Sequence, residues 1–184
     1  MVCQGDISIW FRRARGSERI EVLSGLLQLC NPLELRFIGT CVEDLAKKDF
    51  VSLREDELKA NDTAQLLELS KGSIFDDRTR SKLLFSVSLL HSLNTVCAHV
   101  LYEVLSHIQA EILQHQVYCM DGKSHLLNPN IVDDILLLFT MSTNHPAFTF
   151  SERQQLYSIF KNVERLIAEF LAKVRAHSYI LPLN

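Results

Sequence analysis

Apolar and polar positions follow a helical period in the stretch from 31 to 47, NPLELRFIGTCVEDLAK. Its apolar side chains form one stripe at 3.6-residue spacing, with Leu33 and Phe37 on its flank: Leu35, Ile38, Cys41, Val42 and Leu45. Four positions on the other side form a polar ridge: Arg36, Thr40, Glu43 and Lys47. Because apolar side chains cover most of the circumference, the pattern predicts a helix packed between other helices at the centre of the domain.

The beginning of this helix is marked by three residues. Asn31 is a favourable N-cap, and Pro32 suits the first helical position because its missing N–H would be unpaired there. Glu34 lies three residues beyond the cap, where its carboxylate can accept a hydrogen bond from the Asn31 backbone N–H. The sequence therefore predicts a capping box at Asn31.

The rest of the chain repeats this helical pattern with short connections and no long period-two alternation. We predict an all-α fold, with a single domain of eight or nine helices over residues 1–177 that are arranged as antiparallel, HEAT-like pairs. An apolar tail follows at 178–184, and we consider two roles for Tyr179, Ile180 and Leu181. The tail either folds back onto the domain or serves as a short docking motif.

One uncharged stretch, from Leu83 to Tyr102, is long enough to span a membrane. It contains several hydroxyl and imidazole side chains together with Asn94, and such polar groups are costly to place in lipid. We therefore predict two buried helices that meet at Asn94.

Composition bounds the cellular setting and the class of ligand. The chain has 184 residues, of which 47% are hydrophobic and 22% charged, as is typical of a globular domain. Its formal net charge of −3 and its pI near 6.2 give no overall basic character for nucleic acid. The five cysteines are scattered without a C-x-x-C motif, which predicts reduced thiols in a cytosolic or nuclear protein.

The sequence gives little support for a catalytic or metal-binding site. His91, His99, His107 and His115 recur every eight residues, a spacing that spirals around a helix instead of converging on one ion. The Asp76–Asp77 and Asp133–Asp134 pairs suit the first turns of helices, where carboxylates are favoured by the dipole. No phosphate-binding or nucleophile motif is present in the sequence. We predict no enzyme activity, no metal and no cofactor.

One basic segment supports an alternative function. Arg12, Arg13, Arg15 and Arg19 lie beside Trp10 and Phe11, and arginines with aromatic residues are typical of nucleic-acid contacts. The competing interpretation is an amphipathic helix whose aromatic rings dock in the core while the arginines remain in solvent. The acidic remainder of the chain favours the second interpretation.

Three blocks of sequence carry a family resemblance. They are PLELRFIGTCVEDLAKKDF with LREDELKAN, then ILLLFTMSTNHPAFTFSERQ at 135–154, and an opening of Trp10-Phe11 followed by RIEVLSGLL at 19–27. Together they resemble the N-terminal conserved region of the Smaug-related RNA regulators, closest to the zinc-knuckle CCHC-domain-containing proteins 2 and 14. The blocks cover about half of the chain, and residues 62–134 match nothing in that pattern.

The resemblance implies a self-association and recruitment domain that acts in cytoplasmic post-transcriptional control and translational control of mRNA. The implied partners are a noncanonical poly(A) polymerase or deadenylation machinery, with a possible homodimer. In the family RNA is read by a zinc knuckle or a SAM domain, and this chain lacks the C-x₂-C-x₄-H-x₄-C knuckle. We therefore expect no direct RNA binding by this chain. The expected protein interface is Arg36, Phe37, Thr40, Glu43 and Lys47, with Tyr179, Ile180 and Leu181 as a secondary candidate.

Overall fold

The computed structural model describes residues 4–120 and 128–178, with side chains described for residues 5–115 and 128–172. Within these ranges the chain is helical and contains no strand. The helices are α1 (Gln4–Arg13), α2 (Gly16–Leu29), α3 (Pro32–Ala46), α4 (Phe50–Ala60), α5 (Thr63–Leu69), α6 (Asp77–Leu89), α7 (Thr95–Met120), α8 (Pro129–Asn144) and α9 (Phe150–Ser178). The prediction of a single all-α domain is confirmed.

Helix α8 lies at the centre of the packing, in contact with α2, α6 and α9. Ile135, Leu138 and Phe139 are fully buried, and the Phe139 ring stacks on Phe160 of α9 with 5.8 Å between the ring centroids. The helix begins at an Asn–Pro pair, where the Asn128 side chain accepts a hydrogen bond from the Asn130 N–H at 3.0 Å. The continuous apolar run ILLLF at 135–139 is stable here because neighbouring helices cover several faces of α8.

Helix α9 covers the other side of the core by packing on α7 and α8. Helix α9 contributes the buried side chains of Leu156, Val163 and Ile167, and α7 contributes those of Leu101 and Leu105. At roughly 1.5–3 kcal/mol for each fully buried aliphatic side chain, this layer contributes a large share of the stability. The apolar face of α9 thus belongs to the core of the domain.

A buried guanidinium joins α6 to α8. Arg80 is 4% exposed, donates a hydrogen bond from Nε to Asp134 Oδ2 at 2.8 Å and also contacts Asp77. Its Nη1 donates to the carbonyl oxygens of Ile74 and Phe75. Burial disfavours the charged form, but the hydrogen bonds to Asp134 and Asp77 outweigh it and raise the pKa of Arg80 above its ordinary value. The charge is therefore retained and fixes the contact between the two helices.

The capping box of α3 is confirmed, but the predicted central position of this helix is wrong. Asn31 Oδ1 accepts hydrogen bonds from the N–H groups of Leu33 and Glu34 at 3.0 Å, and the Asn31 N–H donates to Glu34 Oε2 at 2.8 Å. However, α3 contains no buried residue. Periodicity shows that a helix has an apolar face, but it does not show whether the covering surface belongs to the same chain.

The uncharged stretch from Leu83 to Tyr102 is divided between α6 and α7 as predicted. Asn94 lies in the break, and its Oδ1 accepts a hydrogen bond from the Cys97 N–H at 3.1 Å, which caps α7. No helix in the described part of the chain has the length and apolar character needed to cross a membrane.

A charge placed in the α9 core face tests this packing. Val163→Asp should unfold the domain, because Val163 is fully buried and an unpaired charge there costs at least about 3–5 kcal/mol out of a total of about 5–15 kcal/mol. Ala168→Asp, on the exposed face of the same helix, is the matched control and should retain the fold. Urea denaturation followed by circular dichroism measures both, and equal midpoints for the two variants would contradict the assigned faces.

Candidate interaction surface of the N-terminal helices

The apolar stripe of α3 is exposed to solvent. Leu35 is 42% exposed, Val42 57% and Leu45 60%, while Ile38 is half-buried. Midway along the helix, a Cβ atom added to Gly39 would have nothing within 4 Å, so the surface there is open. Contiguous apolar side chains of this kind are typical of a surface that binds another protein chain.

The polar ridge of α3, where the interface was predicted, is also exposed. Phe37 is 71% exposed, and Arg36, Thr40, Glu43 and Lys47 are accessible as well. The Thr40 hydroxyl donates to the Arg36 carbonyl oxygen at 3.2 Å, and Lys47 pairs with Asp44 at 3.4 Å. The ridge is therefore accessible, but its use as an interface stays a prediction.

An apolar groove of about 490 Å³ lies between α1 and α2. It is lined by Asp6, Ile7, Trp10, Val22 and Leu26. Ile7 and Leu26 are each 53% exposed and Trp10 is 41% exposed. The aromatic rings of α1 thus do not dock in the core, contrary to the interpretation that composition favoured.

The four arginines of the basic segment fall into two groups. Arg15 is held by Glu18 at 2.8 Å and Asp133 at 3.5 Å, and the hydrogen bond to Glu18 is the main cause that raises the pKa of Arg15. Arg19 lies over the Phe11 ring at 5.8 Å from its centroid. Arg12 and Arg13 are exposed, and neither forms an ion pair with a residue whose side chain is described. Two cations are therefore available next to the exposed Trp10 ring in the sequence.

Comparison with protein families identifies the larger part of the chain. The model of the SMAUG-like PHAT domain matches residues 53–168, which include α5 to α8 and most of α4 and α9. The chain belongs to the SMAUG-like PHAT domain family. The RNA-binding protein vts1-like domain matches residues 4–48, the part of the chain that forms α1 to α3. No solved structure matches the chain.

The two matches confirm the resemblance to Smaug-related regulators and extend it. Residues 62–134, which the three sequence blocks left unmatched, fall within the PHAT domain. The residues of this segment that pack the core are apolar side chains such as Leu66, Leu83 and Leu101. Other apolar residues of similar volume can fill such core positions. Residue patterns alone therefore do not mark this part of the family.

The prediction of no direct RNA binding is wrong by this comparison. The vts1-like match covers α1 to α3 and includes Arg12, Arg13 and Arg19. The prediction relied on the net charge of −3 and the missing zinc knuckle. Net charge is a sum over the whole chain, and it does not report the local arrangement of cations on one helix.

The other predicted sites are the apolar tail, the histidines and the aspartate pairs. Tyr179, Ile180 and Leu181 lie outside the described residues. Three of the histidines contact different acceptors: His91 meets Glu57, His99 meets Glu152 and His107 meets the Glu103 carbonyl oxygen. Among residues with described side chains, no group of three or more metal-ligating side chains forms a possible site.

The predicted aspartate pairs have structural partners. Asp76 accepts a hydrogen bond from the Thr79 N–H at the start of α6, which lowers the pKa of Asp76, while Asp77 and Asp134 bind Arg80.

Proposed function

We propose that this PHAT-family chain is a non-enzymatic interaction domain of a cytoplasmic mRNA regulator, and that it self-associates through the apolar stripe of α3. The single observation that carries the proposal is the exposure of Leu35, Val42 and Leu45 on a helix with no buried residue. Burial of these side chains against a second chain would remove apolar area from water at about 25 cal/mol per Å².

The spacing of the stripe favours a second copy of the same helix. Leu35, Ile38, Val42 and Leu45 are separated by three, four and three residues, so the order is the same in both directions. In an antiparallel pair centred at Thr40, Leu35 faces Leu45 and Ile38 faces Val42. Heptad-like spacing of this kind is typical of helices that pack side by side.

The polar ridge then lies on the outer side of the pair, where it is available to a different protein. Phe37 and Arg36 belong to residue types that anchor interfaces, and both are exposed. We infer that this ridge recruits machinery that modifies the mRNA tail, either a noncanonical poly(A) polymerase or a deadenylase. The choice of partner rests on the resemblance to Smaug-related regulators, and the ridge supplies only an accessible surface.

Charges in the stripe test self-association. The double variant Leu35→Asp/Val42→Asp should be monomeric, because the carboxylates at positions 35 and 42 would be buried without partners against Leu45 and Ile38 of the second copy. Its melting temperature should change little, since both side chains are already exposed in the monomer. Sedimentation equilibrium of the wild-type chain and the variant gives the oligomeric state. A variant that remains dimeric would exclude the stripe as the interface.

Reversed charges in the ridge test recruitment. Arg36→Glu/Glu43→Arg should abolish binding of the tail-modifying enzyme while self-association and melting temperature persist, because exposed charges contribute only about 0–1 kcal/mol to folding. Binding is measured with purified noncanonical poly(A) polymerase and, in parallel, with purified deadenylase. The double variant preserves net charge, so it serves as its own electrostatic control. Unchanged binding of both enzymes, relative to the wild-type chain, would exclude the ridge.

A second candidate function is direct RNA binding by α1 and α2, which the vts1-like match over residues 4–48 favours. We infer that Arg12 and Arg13 contact phosphates while Trp10 offers an exposed ring for stacking. This function is compatible with self-association, because the arginines are on α1 and the apolar stripe is on α3.

Removal of the two available arginines tests RNA binding. Arg12→Gln/Arg13→Gln should weaken binding of a single-stranded RNA and lower the salt slope, log K against log salt concentration, by about 1.4, since each phosphate contact contributes about 0.7. Fluorescence anisotropy from 50 to 200 mM salt, roughly the range over which phosphate contacts dominate affinity, gives both quantities. The control Arg54→Gln/Arg165→Gln removes the same charge from α4 and α9. Equal losses for both pairs would mean that only net charge matters.

A further inference from the structure

A pocket of about 340 Å³ opens between α4, α5 and α6, within the PHAT-family segment and outside the vts1-like match. Its wall combines cationic, apolar and hydrogen-bonding side chains. The lining residues are Asp56, Lys59, Gln65, Leu66, Leu69, Arg78, Lys82, Phe85 and Ser86. Its volume lies within the roughly 300–1,000 Å³ of small-ligand sites.

The cations of this pocket differ in whether they form ion pairs within the domain. Lys59 lies 3.7 Å from Glu55 and 3.6 Å from Asp56, so its charge is shared with two carboxylates. Arg78 and Lys82 form no ion pair or side-chain hydrogen bond with any residue in the described ranges, although the charge of Arg78 helps to lower the pKa of Asp76. Two exposed cations one helical turn apart therefore face the pocket with a single carboxylate, Asp56, on its wall.

The same face of α6 presents an aromatic ring. Phe85 follows Arg78 by seven residues and Lys82 by three, so all three side chains lie along one side of the helix. Phe85 is 47% exposed, while Leu66 and Leu69 are buried and form the apolar floor. A planar, apolar group can therefore rest in the pocket while an anionic group reaches the two cations.

We propose that this pocket binds one nucleotide of a single-stranded RNA, with its base stacked on Phe85 and its phosphate held by Arg78 and Lys82. Stacking on an exposed ring beside a cationic path is how proteins hold single strands without reading sequence. Gln65 and Ser86 offer hydrogen bonds to the edge of the base. A phosphopeptide would use the cations but would leave the aromatic wall and the apolar floor without a matching group.

This inference rests on the RNA-binding function proposed for the chain and adds a second contact point to it. The first contact point is in α1 and the second is in α6, in different family segments. A single strand that occupies both points gains affinity through the high effective concentration of the second contact. The two sites can be removed separately, so each can be tested without the other.

The test measures binding of fluorescein-labelled decauridine to the full chain by anisotropy at several salt concentrations. Arg78→Gln/Lys82→Gln should weaken binding about tenfold near physiological salt and lower the salt slope by about 1.4. Phe85→Ala should weaken it by at least about fivefold, whereas Phe85→Trp should retain it, because both aromatic rings stack. The matched control Lys71→Gln/Arg165→Gln removes the same charge from residues that pair with Glu68 and Glu169 away from the pocket.

Two further measurements separate the possible outcomes. In the Arg12→Gln/Arg13→Gln background, loss of the pocket cations should weaken binding again, and 4-thiouridine in the decamer should cross-link to the Phe85 region. If the α6 variants match the control while Arg12→Gln/Arg13→Gln still weakens binding, the pocket inference is overturned and the RNA-binding function stands. A phosphoserine peptide that binds the pocket without competition from the decamer would also overturn the inference, in favour of a phosphoprotein partner.

Discussion

Burial of α8 among α2, α6 and α9 is the interaction on which the remaining structure depends. The first residue of α2, Gly16, lies so close to α8 that a Cβ atom there would meet the Leu137 side chain at 3.1 Å. The neighbouring Arg15 reaches Asp133 of α8 at 3.5 Å. The beginning of α2 is therefore anchored, whereas α3 begins at Pro32 after the Asn31 cap and contains no buried residue.

Local chemistry was sufficient to predict the helices and several of their ends. Asn31 caps α3 as predicted, and Asn94 lies at the predicted break and caps α7, because capping is decided within one turn of the chain. The position of α3 could not be predicted in this way, since its apolar face is equally compatible with burial and with a second chain. Arg80 also escaped prediction: its partner Asp134 is 54 residues away in sequence. Burial of a charge depends on tertiary pairing, which periodicity does not contain.

The candidate RNA surfaces show why net charge misled the sequence analysis. Net charge is a sum over the whole chain, and ion pairs such as Asp134 with Arg80 and Asp133 with Arg15 leave that sum unchanged. It therefore does not show that Arg12 and Arg13 are adjacent on α1, or that Arg78 and Lys82 lie one helical turn apart on α6. A chain with a formal charge of −3 can therefore present cationic surfaces on α1 and α6.

In the proposed arrangement, self-association would strengthen RNA binding because it doubles the number of RNA sites in one complex. An antiparallel pair formed through α3 would carry two copies of the α1 arginines and two copies of the α6 pocket. The second contact with one RNA strand then occurs within a complex that is already formed, and avidity can exceed the affinity of a single site by about 10²–10⁴ where the geometry permits. Weak individual sites, each with only two free cations and one exposed ring, are sufficient under this arrangement. The exposed face of α3 would then act on RNA binding without contacting RNA, because it sets how many weak sites one strand can reach.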